Sequence, residues 1–152
     1  MKKLLNIMAA LLLAVISTSC LNHGLEELDT YDECDITNGE IYWRYYGTDI
    51  IPGSGELQVK QVRLARAITI DDETNTIYIR YVIDNIPEAE RDNFTQEKAV
   101  VAVSISTAAI IAPIGDAPKL GVPGDWSKAN QYEVTAANGD NKVWTIVVEP
   151  YE

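Results

Sequence analysis

The side chains that could do chemistry form no familiar catalytic pattern. His23 is the only histidine, which excludes a Ser-His-Asp or Cys-His arrangement and a zinc site built from several histidines. Gly53-Ser54-Gly55 has neither the spacing nor the lysine of a phosphate loop. Two carboxylates would suffice for glycoside hydrolysis, but among 23 acidic residues a pair can always be chosen, and a small domain builds no enclosing cleft. We therefore expect no enzyme, no metal site and no cofactor.

An acidic turn at residues 71–75 is the one candidate for a cation. Asp71, Asp72, Glu73 and Asn75 supply oxygen atoms of the kind that calcium prefers. The turn lacks the central glycine and the distal glutamate of a helix–loop–helix calcium site. A solvated turn is therefore the expected interpretation.

Closely spaced aromatic residues form the best candidate for a binding site. Tyr42, Trp43, Tyr45 and Tyr46 share one segment, and sugars bind by stacking their apolar faces on such rings. In a strand alternate side chains share a face, so Tyr42 and Tyr46 are exposed together if Trp43 is buried. The alternative is ordinary strand composition, because tyrosine and tryptophan favour strands. The predicted ligand-binding residues are Tyr42, Tyr46, Arg80 and Trp126, although Trp126 also fits a core position.

The first 20 residues follow the pattern of a secretory signal. Lys2 and Lys3 precede an apolar run over residues 4–16, and small polar residues lead from it to Cys20. The apolar run is too short to span a bilayer core of about 30 Å. A cleaved signal peptide at residues 1–19 is therefore predicted.

The exit of this signal resembles the lipobox of bacterial lipoproteins, with Ser19 directly before Cys20 and Ser17 where the family usually has leucine. The resemblance implies that Cys20 is lipidated and begins the mature chain; a simple cleaved signal and a membrane-retained helix are the alternatives. Loss of Lys2 and Lys3 changes the formal charge from −11 to −13. Such an acidic chain is a poor partner for nucleic acid or anionic headgroups, so membrane contact should be the lipid alone.

Residues 20–38 are predicted to form a mobile tether. Residues 21–38 hold six carboxylates, no Lys or Arg, and no apolar period. Glu26, Glu27 and Asp29 resemble the signal that sends lipoproteins of Bacteroidetes-type bacteria to the exterior of the outer membrane; a solvated acidic linker is the alternative. Cys34, without a partner once Cys20 is lipidated, is expected to be an idle thiol in this loose segment, with intermolecular pairing as the alternative.

Residues 39–152 show the two-residue period of β-strands. The predicted strands cover residues 41–46, 57–70 (broken near Ala65), 76–83, 99–106, 131–137 and 142–149, with Ala108–Ile111 as a further short one. Residues 87–97 allow at most two turns of helix, and residues 113–130 form a long Pro/Gly loop. About seven short strands predict one all-β domain, an antiparallel sandwich.

The stretch from Ile105 to Glu149 resembles the small immunoglobulin-like (DUF5018-like) domains of Bacteroidetes surface lipoproteins. The matching text includes Tyr132-Glu133-Val134-Thr135-Ala136, Asn138-Gly139 and Trp144-Thr145-Ile146. The resemblance implies an immunoglobulin-like β-sandwich, in which Trp144 is expected in the core. It also implies a non-catalytic surface module that binds a polysaccharide or a partner protein; a purely structural subunit of a surface complex is the alternative.

Overall fold

The computed structural model describes residues 31–152, which form two β-sheets packed face to face. The predicted signal peptide, Cys20 and the first part of the predicted tether lie outside the described residues. A short helix of four residues, α1 (Glu88–Arg91), and a 3₁₀ turn at Gln96–Lys98 precede the fifth strand. The strands are β1 (Ile36–Ile50), β2 (Leu57–Arg63), β3 (Ala65–Asp71), β4 (Thr76–Tyr81), β5 (Ala99–Ile105), β6 (Ile110–Pro113), β7 (Pro123–Gly124), β8 (Asn130–Thr135) and β9 (Asn141–Pro150).

The predicted all-β sandwich is confirmed, with a different strand count and one parallel pair. One sheet has the order β2-β1-β5-β7 and the other has the order β3-β4-β9-β8-β6. The described residues thus contain nine strands where about seven were predicted, because the predicted stretch 57–70 divides into β2 and β3 and the two-residue β7 is too short for an alternation to show. All pairs are antiparallel except β4 and β9, whose parallel pairing is possible because the chain between them supplies a long crossover.

The core lies between the two sheets and includes Trp144, as expected. Ile41 and Trp43 of β1 face Ile77 and Ile79 of β4, and Trp144 of β9 completes this layer, all at most 5% exposed. Alternate residues of these strands thus point inward, which follows from the two-residue period of a strand. The remaining buried apolar residues include Tyr81, Ile86, Val101, Trp126, Tyr132, Val134, Ile146 and Val148.

Leu64 is the point at which the chain passes from one sheet to the other. Its backbone N–H donates to the carbonyl of Ile41 in the first sheet (2.8 Å), and its own carbonyl accepts from Val82, next to β4 in the second (3.1 Å). The leucine side chain is fully buried between the sheets. The predicted break near Ala65 is therefore a crossover, which makes β2 and β3 the edge strands on one side of the sandwich.

Gly39 allows the two sheets to approach closely at the start of β1. A Cβ atom at this position would lie 2.7 Å from Cδ1 of Ile79 and 2.9 Å from Cδ1 of Ile77. Both distances are below van der Waals contact, so a larger residue here would force the sheets apart.

The folded domain begins before the predicted boundary at residue 39. Ile36 pairs with Ile105 in the sheet, and Cys34 is 3% exposed. The carbonyl of Cys34 accepts a hydrogen bond from Nε1 of Trp144 at 2.8 Å. The expectation that Cys34 lies in a loose segment is therefore wrong, because long-range pairing orders residues whose own composition is that of a linker.

The remaining elements lie where the sequence predicts them, with small differences in length. The helix α1 has only four residues, within the predicted limit of two turns. Strand β4 ends at Tyr81, so Ile83, predicted on its buried face, lies beyond the sheet and is exposed. Within residues 31–152, no helix is long and apolar enough to cross a membrane.

Candidate functional site

The end of the β1–β2 hairpin carries a group of exposed apolar side chains. We call this group the apolar patch; its members are Tyr46 (70% exposed), Ile50 (62%), Ile51 (41%), Leu57 (47%) and Val59 (55%). Every residue from 48 to 59 is exposed, so this part of the hairpin extends past the core of the sandwich. Exposed apolar residues of a small domain are normally scattered singly over its surface. A contiguous group of them is typical of an interaction surface.

Strand register places four members of the patch on one face. Tyr46 pairs with Val59 and Ile50 pairs with Leu57, and directly opposite residues of an antiparallel pair share a face. Between these two pairs β1 has two residues more than β2, which bends the hairpin. The patch lies on the outer face of the four-stranded sheet, continuous with Tyr42 and Arg44, because Ile41 and Trp43 point inward.

Lys60 and its neighbours hold this extension in shape. The ammonium group of Lys60 contacts the Asp49 carboxylate at 2.6 Å, and this hydrogen bond raises the pKa of Lys60 above its ordinary value. The lysine stem lies over Gly47, where a Cβ atom would be 2.6 Å from Cε of Lys60. Gly47 therefore gives the stem the space to reach Asp49.

The cationic side chains near the patch already have partners within the chain. On the outer face Arg44 donates from Nε to Oε1 of Gln61 at 2.7 Å, and Arg63 forms an ion pair with Glu40. Lys60 pairs with Tyr45 and so lies on the opposite face, where it is bound to Asp49. The outer face therefore carries no excess of negative charge, although the chain as a whole is strongly acidic.

Two shallow depressions adjoin Tyr46. One, of about 470 Å³, is lined by Tyr46, Ile51, Glu56, Leu57 and Val59 and is mostly apolar. The other, also about 470 Å³, has a mixed lining of aromatic, charged and amide side chains, namely Trp43, Arg44, Tyr45, Tyr46, Glu90, Asn93 and Lys98. Tyr46 thus lines both depressions, and only the second one also has amide and cationic side chains in its lining.

The patch lies at the end of the sandwich opposite the start of the domain. Tyr31 accepts a hydrogen bond from the backbone of Asn138 in the β8–β9 turn, so the N-terminal end sits beside that turn. Strand β1 then runs 15 residues, about 50 Å at the rise of an extended strand, before it reaches Ile50. The apolar patch and the point of chain entry are therefore far apart.

The structure separates the residues that were predicted to form one sugar-binding face. Tyr42 and Tyr46 share the outer face of the first sheet, as predicted, but Tyr42 is half-buried. Arg80 lies on the outer face of the other sheet, where Nε contacts Oε1 of Glu149 at 2.7 Å. Trp126 is fully buried and stacks on Tyr132, with ring centroids 6.2 Å apart. The grouping of Tyr42, Tyr46, Arg80 and Trp126 does not hold, because the two sheets place them on different surfaces and in the core.

The acidic turn at residues 71–75 is closed by hydrogen bonds to the side chain of Asp71. Oδ1 of Asp71 accepts from the backbone N–H groups of Glu73 (3.0 Å) and Thr74 (3.3 Å), and Oδ2 accepts from the Thr74 hydroxyl (2.8 Å). The Thr74 hydroxyl is the main cause of a lowered pKa for Asp71. Across residues 31–152, no group of three or more His, Cys, Asp or Glu side chains is arranged to hold a metal ion.

Four members of the apolar patch were missed by the sequence analysis. Ile50, Ile51, Leu57 and Val59 flank the Pro/Gly turn, and period-two alternation alone assigns such apolar residues to a core. The length of the β1–β2 hairpin could have indicated their exposure. Strands that extend beyond the other strands of a sandwich have no second sheet to cover them, so both of their faces are exposed.

Comparison with known proteins gives a family and a related structure. The family model described as DUF5018-related matches residues 36–147. A crystal structure of a protein from Bacteroides fragilis, believed to be secreted, has 35% sequence identity and a TM-score of 0.67. The match covers 80% of this chain and 98% of that one. No curated protein matches the chain.

Proposed function

We propose that this chain, which belongs to the DUF5018-related family, is a non-catalytic module of the bacterial cell envelope that binds a protein partner through the apolar patch. Its relationship to a Bacteroides fragilis protein believed to be secreted supports a location outside the cytoplasm. The signal pattern of residues 1–19 supports the same compartment.

The proposed attachment is a lipid on Cys20, with the domain at the outer membrane and facing the exterior. Support comes from the lipobox-like Ser19-Cys20 step and the acidic residues that follow it. An anchor that precedes Tyr31 would hold the domain by its N-terminal end. The apolar patch lies at the other end of the domain from this point of attachment, where a partner can reach it.

The observation that carries the proposal is the exposed clustering of Tyr46, Ile50, Leu57 and Val59 on one face. Burying one such aliphatic side chain contributes about 1.5–3 kcal/mol of free energy. The isolated domain lacks this stabilisation because the side chains are in water, whereas a bound partner would supply it. Aliphatic groups offer no hydrogen bonds to a sugar, whereas they match the apolar centre of a protein interface. A protein partner therefore fits the patch better than a glycan.

Site-specific photocross-linking tests this proposal. A benzophenone amino acid in place of Tyr46, in the full chain expressed in its native envelope, should give discrete adducts on illumination. The matched control carries the same group in place of Thr69, which is exposed on the outer face of the other sheet. Equal labelling at the two positions, or none above background at Tyr46, would contradict a protein-binding role for the patch.

Glycan binding is the second candidate, and the mixed depression beside Tyr46 favours it. An exposed ring next to Glu90, Asn93 and Lys98 combines a stacking surface with polar groups that could orient a sugar. An open site of this size supports a dissociation constant no tighter than about 0.1–1 mM. Heat on titration with an oligosaccharide, lost in Tyr46→Ala, would favour this candidate.

A further inference from the structure

We propose that the protein partner is a second copy of this chain, which adds its own β2 to the free edge of β2 in antiparallel sense, about a two-fold axis at Gln58. The inference rests on the proposed function, because it uses the same apolar patch. It adds the identity of the partner, the strand that pairs and the register of the pairing.

Strand β2 is the open edge of the sandwich. It is seven residues long, contains neither glycine nor proline, and pairs only with β1 within the described part of the chain. An edge of this kind presents unpaired N–H and C=O groups to any strand that approaches, and proteins usually block it with charge, proline or short length. Here the one lysine within the strand, Lys60, is already held by Asp49.

The other edges are protected in the usual ways. Strand β7 has two residues and begins with Pro123, and β6 has four residues and ends with Pro113. Strand β3 is as long as β2, but five of its seven residues are half-buried. The contrast leaves β2 as the edge that is both long and accessible.

The segment from Glu56 to Lys60 is complementary to itself when the axis passes through Gln58. The pairing then uses the first part of β2, because residues 61–63 would face the turn region at residues 53–55 of the second copy. In that register Leu57 lies opposite Val59 of the second copy on the outer face, and Gln58 faces its own equivalent. Glu56 lies opposite Lys60 of the second copy on the other face, so opposite charges meet twice in the dimer. A shift of the axis to Lys60 would place the two lysines opposite each other and Leu57 opposite Arg63, which is unfavourable.

This pairing also joins the two apolar patches. Leu57 and Val59 of both copies would form one continuous strip, flanked on each side by Tyr46 and Ile50 of the same face. A two-fold axis produces such a self-complementary contact from a single surface. The net charge, −11 for the full sequence and −13 without residues 1–19, opposes association, but salt at about 0.15 M limits this repulsion to roughly 8 Å.

Cysteine cross-linking tests the axis directly. Directly opposite residues of an antiparallel pair have Cα atoms about 4.5–5.5 Å apart, within the range that a disulfide spans. Gln58→Cys in the full chain should therefore form a covalent dimer in the cell envelope under mild oxidation with copper phenanthroline. Gln61→Cys is the matched control: it is equally exposed on the same strand, but its two copies would be about 20 Å apart.

Charge reversal provides a second measurement on the same cross-link. Glu56→Lys replaces both opposite-charge contacts by like-charge contacts and should lower the Gln58→Cys dimer roughly 2- to 30-fold. Adding the double change Lys60→Glu and Asp49→Lys restores opposite charges across the axis, keeps an ion pair between positions 49 and 60, and should recover the dimer. The wild-type chain reports any background from Cys20 and the buried Cys34.

The outcomes separate this inference from the proposed function. A dimer with Gln58→Cys and not with Gln61→Cys, sensitive to Glu56→Lys and rescued by the double change, supports the second copy. Equal yields at the two positions, no dimer, or failure of the rescue would overturn it. A Tyr46 photoadduct to a different protein, without a Gln58→Cys dimer, would leave the protein-binding role standing and refute the second copy.

Discussion

Two of the three tryptophans provide a quantitative test of the core, because both are buried but only one of them donates a hydrogen bond. Trp144 and Trp126 are both fully buried. Nε1 of Trp144 donates to the Cys34 carbonyl, whereas Nε1 of Trp126 has no partner among the described residues. The change of tryptophan to phenylalanine removes the same atoms at both sites, so a comparison of the two variants isolates the value of the hydrogen bond.

We expect Trp144→Phe to be the more destabilising variant by about 1–3 kcal/mol, because it leaves a buried carbonyl without a donor. Trp126→Phe removes a donor that was already unsatisfied, so its cost is that of lost volume alone. For a domain of this size 1 kcal/mol corresponds to about 4 °C in the melting temperature, so the two variants should differ by roughly 4–12 °C.

Urea unfolding followed by circular dichroism is the suitable assay, since it does not depend on the tryptophan being removed. Trp144→Ala and Trp126→Ala serve as the control: each should cost about 3–5 kcal/mol, because both rings fill the core. If Trp126→Phe proves as destabilising as Trp144→Phe, the bond to Cys34 contributes nothing, and the account of how residues 34–36 are ordered fails.

Two further predictions concern the anchor and the acidic turn. Cys20→Ala should move the protein from the membrane to the soluble fraction, since an acidic domain has no other attachment; unchanged membrane retention would refute lipidation at Cys20. Thr74→Val should raise the pKa of Asp71 toward its ordinary value, measured by NMR titration. Because the folded-state pKa of Asp71 is lowered, its contribution to stability is present above the unfolded pKa and is lost as pH falls through the folded value. The stability difference between Thr74→Val and wild type should therefore shrink in acid; a difference that is constant with pH would contradict this role.

Local pattern determined most of the strands of this fold and which residues of a strand share a face. Alternation placed Trp43 on the face opposite Tyr42 and Tyr46 and placed the hairpin over residues 131–149, because the side-chain period of a strand depends only on its own backbone. Composition also argued against a familiar catalytic site, since no histidine or second cysteine accompanies the nucleophiles of the domain.

Tertiary structure decided how those elements combine. Whether Arg80 and Tyr42 share a surface depends on which sheet each strand joins, and strand pairing is set by contacts between residues far apart in the chain. The same contacts order Cys34 through Trp144 and pair β9 with β4 in parallel. The exposure of Ile50, Leu57 and Val59 depends on where the neighbouring strands end, which no period within the hairpin encodes.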